Sequence, residues 1–149
     1  MEVTKSGRFL VVFFIILINA AKIYYFYDMK ILLWILRIIA AGILLQTLYF
    51  KFSGAPEPVY IFETIGVEPW GRYATGIAEL VASVMILWPR FTKWGALLGI
   101  AIMAGAVISH LTVLGIEVKN DGGLLFGMGI AVLVACVGML LILRMPDID

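Results

Sequence analysis

Leu124 to Leu143 reads LLFGMGIAVLVACVGMLLIL, twenty residues without a charged side chain. A helix rises about 1.5 Å per residue, so a stretch of that length crosses the ~30 Å hydrocarbon layer of a bilayer. Three more stretches meet or approach that requirement: Ile31 to Phe50, Tyr73 to Trp88 and Trp94 to Leu114. Composition agrees, since 63% of the 149 residues are hydrophobic and only 14% charged. The mean hydropathy of +1.07 lies outside the range of water-soluble domains. The fold class read from these stretches is an all-α integral membrane protein, a four-transmembrane-helix bundle embedded in a lipid bilayer.

The connections have structure of their own. Pro69 suits the first turn of a helix, which places the start of the second span near Trp70. Trp88-Pro89-Arg90 ends that span, and Trp88 with Trp94 reads as an interfacial aromatic belt around a tight turn. The first connection, Lys51 to Trp70, is long. Between Pro58 and Gly66 it carries Tyr60, Ile61, Phe62 and Ile65, with Gly66 as a C-cap, and reads as a short interfacial helix. Its acids Glu57, Glu63 and Glu68 face water or the mouth of the bundle. In the glycine-rich connection Gly115 to Gly123, Asp121 is placed to cap the last span.

Residues 1–28 form a hydrophobic extension before a membrane domain spanning 29–149. Three readings of it stay open. Lys5 and Arg8 before Phe9 to Ile18 resemble a signal segment, although Asn19-Ala20-Ala21 is a poor cleavage site. Phe9 to Tyr27 could form an extra N-terminal hydrophobic helix, a fifth span bearing Asn19 and Lys22. The Phe, Ile, Tyr, Lys and Asn bias before Met29 also fits translated upstream DNA, with Met29 as the start.

Eleven Lys and Arg against ten Asp and Glu leave a net charge of +1. No field of that size recruits nucleic acid. With four spans, Lys30, Arg90, Lys93 and Arg144 share one membrane side while Lys51, Arg72 and Lys119 share the other. That weak bias puts both termini in the cytoplasm; a fifth span equalises the sides. The lone Cys136 forms no disulfide within the chain, and neither HxxxH nor ExxH spacing is present, so no metal or haem ligand set is expected. No P-loop, dinucleotide-binding glycine pattern or nucleophile elbow marks a cofactor.

Small residues recur at helical spacing. Gly95/Gly99 and Ala101/Gly105 lie on the third span, Gly123/Gly127/Ala131/Ala135 on the fourth, and Ala74/Ala78/Ala82 on the second. Such rows let membrane helices approach closely, within one chain first and across a homodimer second.

Three ionisable residues fall inside spans: Arg37, Glu79 and His110. Residues of this kind are expensive in hydrocarbon and mark candidate sites. Taking Lys30 and Pro89 as markers of one face, Arg37 lies about 10 Å deep and Glu79 about 15 Å deep. That similarity predicts an intramembrane Arg37–Glu79 ion pair. His110 sits near the opposite face on the side of Gly99, Met103 and Ala106. Glu79 shares a face with Arg72, Thr75, Ala82 and Ser83, and Lys51 falls on the Arg37 face. Together His110, Lys51, Arg72 and Thr75 outline a ligand mouth, with Glu79 and His110 as catalytic candidates. Gln46 is expected on the far side of its helix from Arg37. Purely structural roles, register for the ion pair and a backbone hydrogen bond for His110, weigh about equally at this point.

The segments ILRIIAAGILLQTLYFKFSG, GVEPWGR, GIAELVASVMILWPRFTKWGALL and MAGAVISHL resemble the DoxX family of small four-helix membrane proteins, over Lys30 to about Leu143. On that resemblance Arg37 matches the arginine of the family's first helix, and Lys51 and Gly54 the end of it. Glu79 matches the acid of the second helix, and His110 the histidine ending the third. The family takes its name from a subunit of an archaeal thiosulfate:quinone oxidoreductase. The resemblance therefore implies an accessory or quinone-interacting subunit of a membrane redox system in the bacterial cytoplasmic (inner) membrane. His110 or Lys51 would hydrogen-bond a quinone carbonyl and Glu79 would move protons, with flavin or metal on a partner. Two other readings of the same residues are a small-solute or proton carrier and a non-catalytic anchor for a soluble partner.

Overall fold

The computed structural model describes residues 5–145. Helix α1 runs Lys5–Ser53, α2 Pro56–Ile65, α3 Trp70–Leu87, α4 Thr92–Ser109 and α5 Leu124–Ile142. A 3-10 turn at Pro89–Phe91 joins α3 to α4, and a π-helical turn at His110–Leu114 ends α4. The four long helices pack in a ring, α1 on α3, α3 on α4, α4 on α5 and α5 back on α1. The expected four-helix bundle is therefore the observed one. Three stretches, Phe14–Ser53, Pro89–Leu114 and Leu124–Ile142, are long and apolar enough to cross a membrane on composition alone. Helix α3 is more polar because it carries Arg72 and Glu79, yet its 18 residues span about 27 Å and its charges have partners inside the protein.

The N-terminal extension is not a separate helix. From Lys5 it continues into α1 without a break, and no proline or glycine interrupts the chain between Gly7 and Gly42. The resulting 49 residues extend about 74 Å, more than twice the hydrocarbon thickness. Met1, residues 2–4 and the side chains of Lys5, Arg8, Ala21 and Lys22, on which the signal and fifth-span readings drew, lie outside the described residues.

The core is small-residue packing around a few large side chains. Ala40, Ala41 and Leu44 of α1 meet Ala82 and Ile86 of α3, Ala96 and Met103 of α4, and Val132, Ala135, Cys136 and Met139 of α5. Gly95 and Gly99 set the spacing of α4. A Cβ at Gly95 would stand 2.6 Å from the Ile86 backbone nitrogen, and one at Gly99 would stand 2.9 Å from the Cys136 sulfur. The expected ladder on the last span is only half internal: Ala135 is buried, whereas Gly127 and Ala131 face outward, and a Cβ at Gly127 would meet nothing within 4 Å. The wheel that aligned these four residues did not show which face the neighbours occupy.

The ends follow local rules. Thr92 is fully buried and its hydroxyl bridges the Ile86 and Trp88 carbonyls at 3.1 and 3.2 Å, capping α3 from the next helix. Gly66 ends α2 in the left-handed conformation (φ 83°), as expected of that glycine. Asp121 caps α5: one carboxylate oxygen accepts the N–H groups of Val118 and Gly123 and the other that of Leu125, all at 2.9 Å. Trp70 at one end of the bundle, and Trp88 and Trp94 at the other, are largely exposed and suit the two interfaces.

Two outcomes are expected. Gly95→Val forces α3 and α4 apart and destabilises by about 1–3 kcal/mol, while Gly127→Ala is neutral or stabilising by up to about 1 kcal/mol; thermal melting in detergent reads both. Burial pushes the Asp121 carboxyl up, but the three N–H donors and nearby His110 outweigh it and hold it below the usual carboxylate value. Its contribution is thus present above the unfolded value of about 3.9 and fades as pH falls through the lower folded one. Asp121→Ala should cost about 1 kcal/mol at pH 7 and flatten the decline in melting temperature as pH falls below about 4.

Candidate functional site

Helices α1 and α3 are locked together by one buried acid. Glu79 is 2% exposed on α3, in the middle of the bundle. One carboxylate oxygen takes the Lys51 ammonium at 2.5 Å. The other lies 2.9 Å from the Thr47 hydroxyl, which also stands 2.8 Å from the Leu44 carbonyl. Thr47 and Lys51 are four residues apart on α1, so both face the acid. Thr47 was not singled out from the sequence; its spacing from Lys51 is the signal that could have found it.

These groups form the floor of a cavity of about 680 Å³ between α1, α3, α4 and α5. Its walls are mainly apolar, including Ile43, Leu44, Phe50, Ile102, Met103 and Met128. Helix α2 covers it, turning Pro58, Ile61, Phe62 and Ile65 inward. The expected interfacial helix is therefore also the cover of the cavity. Lys51, Thr75 and His110, three of the four residues predicted to outline a mouth, reach this space together with the catalytic candidate Glu79, and Gln46 and Asp121 join them. Gln46, expected on the far side of α1 from Arg37, is exposed and reaches the rim.

His110 is buried where α4 changes pitch. The i→i+5 winding of the π-helical turn brings residue 115 over residue 110, and Nδ1 donates to the Gly115 carbonyl at 2.8 Å. A carbonyl only accepts, so the ring carries its hydrogen on Nδ1 and leaves Nε2 as an acceptor in the neutral form. Phe126 of α5 meets the ring edge-on, 5.6 Å between centroids. Thr75 donates to the Gly71 carbonyl at 2.8 Å and keeps its lone pairs for another donor.

Arg72 stands beside the site rather than in it. Its guanidinium pairs with Glu68 at 2.7–2.8 Å, donates to the Lys51 carbonyl and lies over the Tyr73 ring. It thereby ties the C-terminal end of α1 to α3 and fixes the residue that holds Glu79.

The expected Arg37–Glu79 ion pair does not form. In this antiparallel pair Thr47 is level with Glu79, so Arg37, ten residues before Thr47, is level with Pro89, ten residues after Glu79. Arg37 thus lies about 15 Å from the acid along the bundle. The prediction failed because Lys30 does not mark the end of a span: α1 runs straight past it. Arg37 instead stacks over Trp34, 4.8 Å from the ring centroid, and its Nε has no hydrogen-bond partner among the described residues.

A double-mutant cycle separates the two pairings. Glu79→Ala leaves the Lys51 ammonium buried and unpaired and should destabilise by about 3–5 kcal/mol, whereas Lys51→Met with Glu79→Leu should be close to neutral. Arg37→Met and Glu79→Ala should be additive within about 0.5 kcal/mol, as expected of sites that do not touch.

The comparisons with known proteins bear on this geometry. No curated protein and no solved structure matches the chain. The DoxX family model matches residues 32–114, from the bundle portion of α1 to the π-helical turn, and so contains Arg37, Lys51, Arg72, Thr75, Glu79 and His110. The matched region stops short of Leu143, the limit expected from the resemblance, and leaves out α5, an apolar helix with no charged residue. With more than half its length matched, the chain belongs to the DoxX family.

Proposed function

We propose that this DoxX-family membrane protein is a quinone-interacting subunit of a membrane redox system, with the head group held in the cavity under α2. The observation that carries the reading is the convergence of Lys51, Glu79 and His110 on one largely apolar cavity. Its volume falls within the ~300–1,000 Å³ of sites that hold small organic molecules.

The residues present fit such a ligand. A quinone supplies reversible two-electron, two-proton chemistry and presents two carbonyl acceptors that become hydroxyl donors on reduction. The Lys51 ammonium has donors left beyond the one given to Glu79 and suits a carbonyl. His110 Nε2 suits a hydroxyl, because the Gly115 carbonyl holds the ring in the tautomer that accepts there. The apolar walls exclude water and take the ring faces and the start of the tail.

Glu79 can hold a proton without losing its partners. The single Thr47 hydrogen serves either Glu79 or the Leu44 carbonyl at one time. When it turns to Leu44, a proton on the facing Glu79 oxygen donates to Thr47 and completes the chain. The other oxygen keeps Lys51. Electrons pass to or from a redox centre on a partner.

The basic residues also argue for a placement. At the end away from the cavity, Arg90, Lys93 and Arg144 are exposed, while Lys51 and Arg72 at the cavity end are neutralised by Glu79 and Glu68. The positive-inside tendency then puts the basic end in the cytoplasm of a bacterium and the cavity towards the outer side of its inner membrane.

Native mass spectrometry on the protein purified gently from its own membranes tests the reading. An isoprenoid quinone should copurify with the wild type and fall at least tenfold in His110→Ala, with Glu79→Gln retaining quinone but losing proton-coupled turnover with its partner. Solute flux in liposomes without a redox partner would instead favour the carrier. A stoichiometric soluble partner retained by both variants, with no bound small molecule, would favour the anchor.

A further inference from the structure

A second cavity, of about 570 Å³, opens at the opposite end of the bundle from the first. Four cations line it: Arg37 from α1, Arg90 and Lys93 from the turn and start of α4, and Arg144 after α5. No acid lines it. Three of these side chains are exposed and ordinary for a membrane surface, but Arg37 is not. It is 4% exposed, and its Nε has no hydrogen-bond partner among the described residues. A buried donor left unsatisfied costs about 1–3 kcal/mol, more when charged, and a second cation beside it adds repulsion.

We propose that this cavity binds the phosphate of an anionic phospholipid, with Arg37 as the deep ligand and Arg90, Lys93 and Arg144 as the rim. A phosphodiester oxygen supplies the acceptor that Nε lacks, and a guanidinium engages phosphate through paired donors. The remaining wall identifies the carrier of the phosphate. Trp94, Leu97, Leu140 and Leu143 make another side of it apolar, and Leu97 and Trp94 are exposed on the outer surface of the bundle. A ligand with an anionic head and hydrocarbon below it covers both kinds of surface, whereas free phosphate leaves the leucines to water. Three elements far apart in sequence contribute cations, so the lipid bridges α1 to the α3–α4 turn and to the end of α5.

The test uses the full-length protein, delipidated in neutral detergent and titrated with phosphatidylglycerol, phosphatidylcholine or inorganic phosphate. Native mass spectrometry reads retained lipid, and thermal shift reads stabilisation. The expected result is one retained phosphatidylglycerol per chain, at least tenfold tighter than phosphatidylcholine, with no stabilisation by millimolar phosphate. Arg37→Met should weaken retention about tenfold or more, as loss of a charge-assisted contact requires. Should that variant fold poorly, Arg90→Gln with Lys93→Gln changes only exposed side chains and should weaken retention to a similar degree. Lys119→Gln, at the other end, should leave it unchanged. Equal retention of the two lipids, retention unaffected by both cavity variants, or equal stabilisation by inorganic phosphate would each overturn the proposal.

Discussion

The buried contact of Glu79 with Lys51 and Thr47 sets the register of α1 against α3, and most of the structure follows from it. An ionised carboxylate in the middle of a bundle needs donors at its own depth, and only one alignment of two antiparallel helices supplies them. That alignment places Phe52 against Gly76 and Tyr73. It also carries Arg37 to the level of Pro89, so the charges of α1 are divided between the two ends. Arg72, clamped by Glu68 and bound to the Lys51 carbonyl, holds the same alignment from outside.

Much of this was legible in the amino-acid sequence because the bilayer is an undemanding reader. Hydropathy and length locate helices, and Pro69 starts one while Pro89 and Gly66 end others for reasons that need no tertiary information. The Asp121 cap likewise depends on residues within four positions of it. The inward faces of α3 and α4 were also readable, since Glu79, Ala82 and Ser83, or Gly99, Met103 and His110, fall on one side of a wheel and are buried.

What escaped was relative depth and coverage. Pairing Arg37 with Glu79 assumed that a lysine marks the end of a span, and Lys30 lies inside a continuous helix. Choosing between Arg37 and Lys51 as partner for the acid requires the axial offset of two helices, a quantity that periodicity does not contain. Gly127 and Ala131 kept helical spacing yet face outward, since a row of small residues permits close approach without choosing the neighbour.

The π-helical turn at His110–Leu114 is equivalent to one residue inserted into an α-helix. A relative without that residue continues the helix at its normal pitch, and everything after the histidine swings by about 100° around the axis. Its histidine could align perfectly with His110 while losing the carbonyl that orients the ring. Within the family, then, the length of this segment should be a better marker of a working histidine than the histidine itself, and an alignment gap at this point carries chemical meaning.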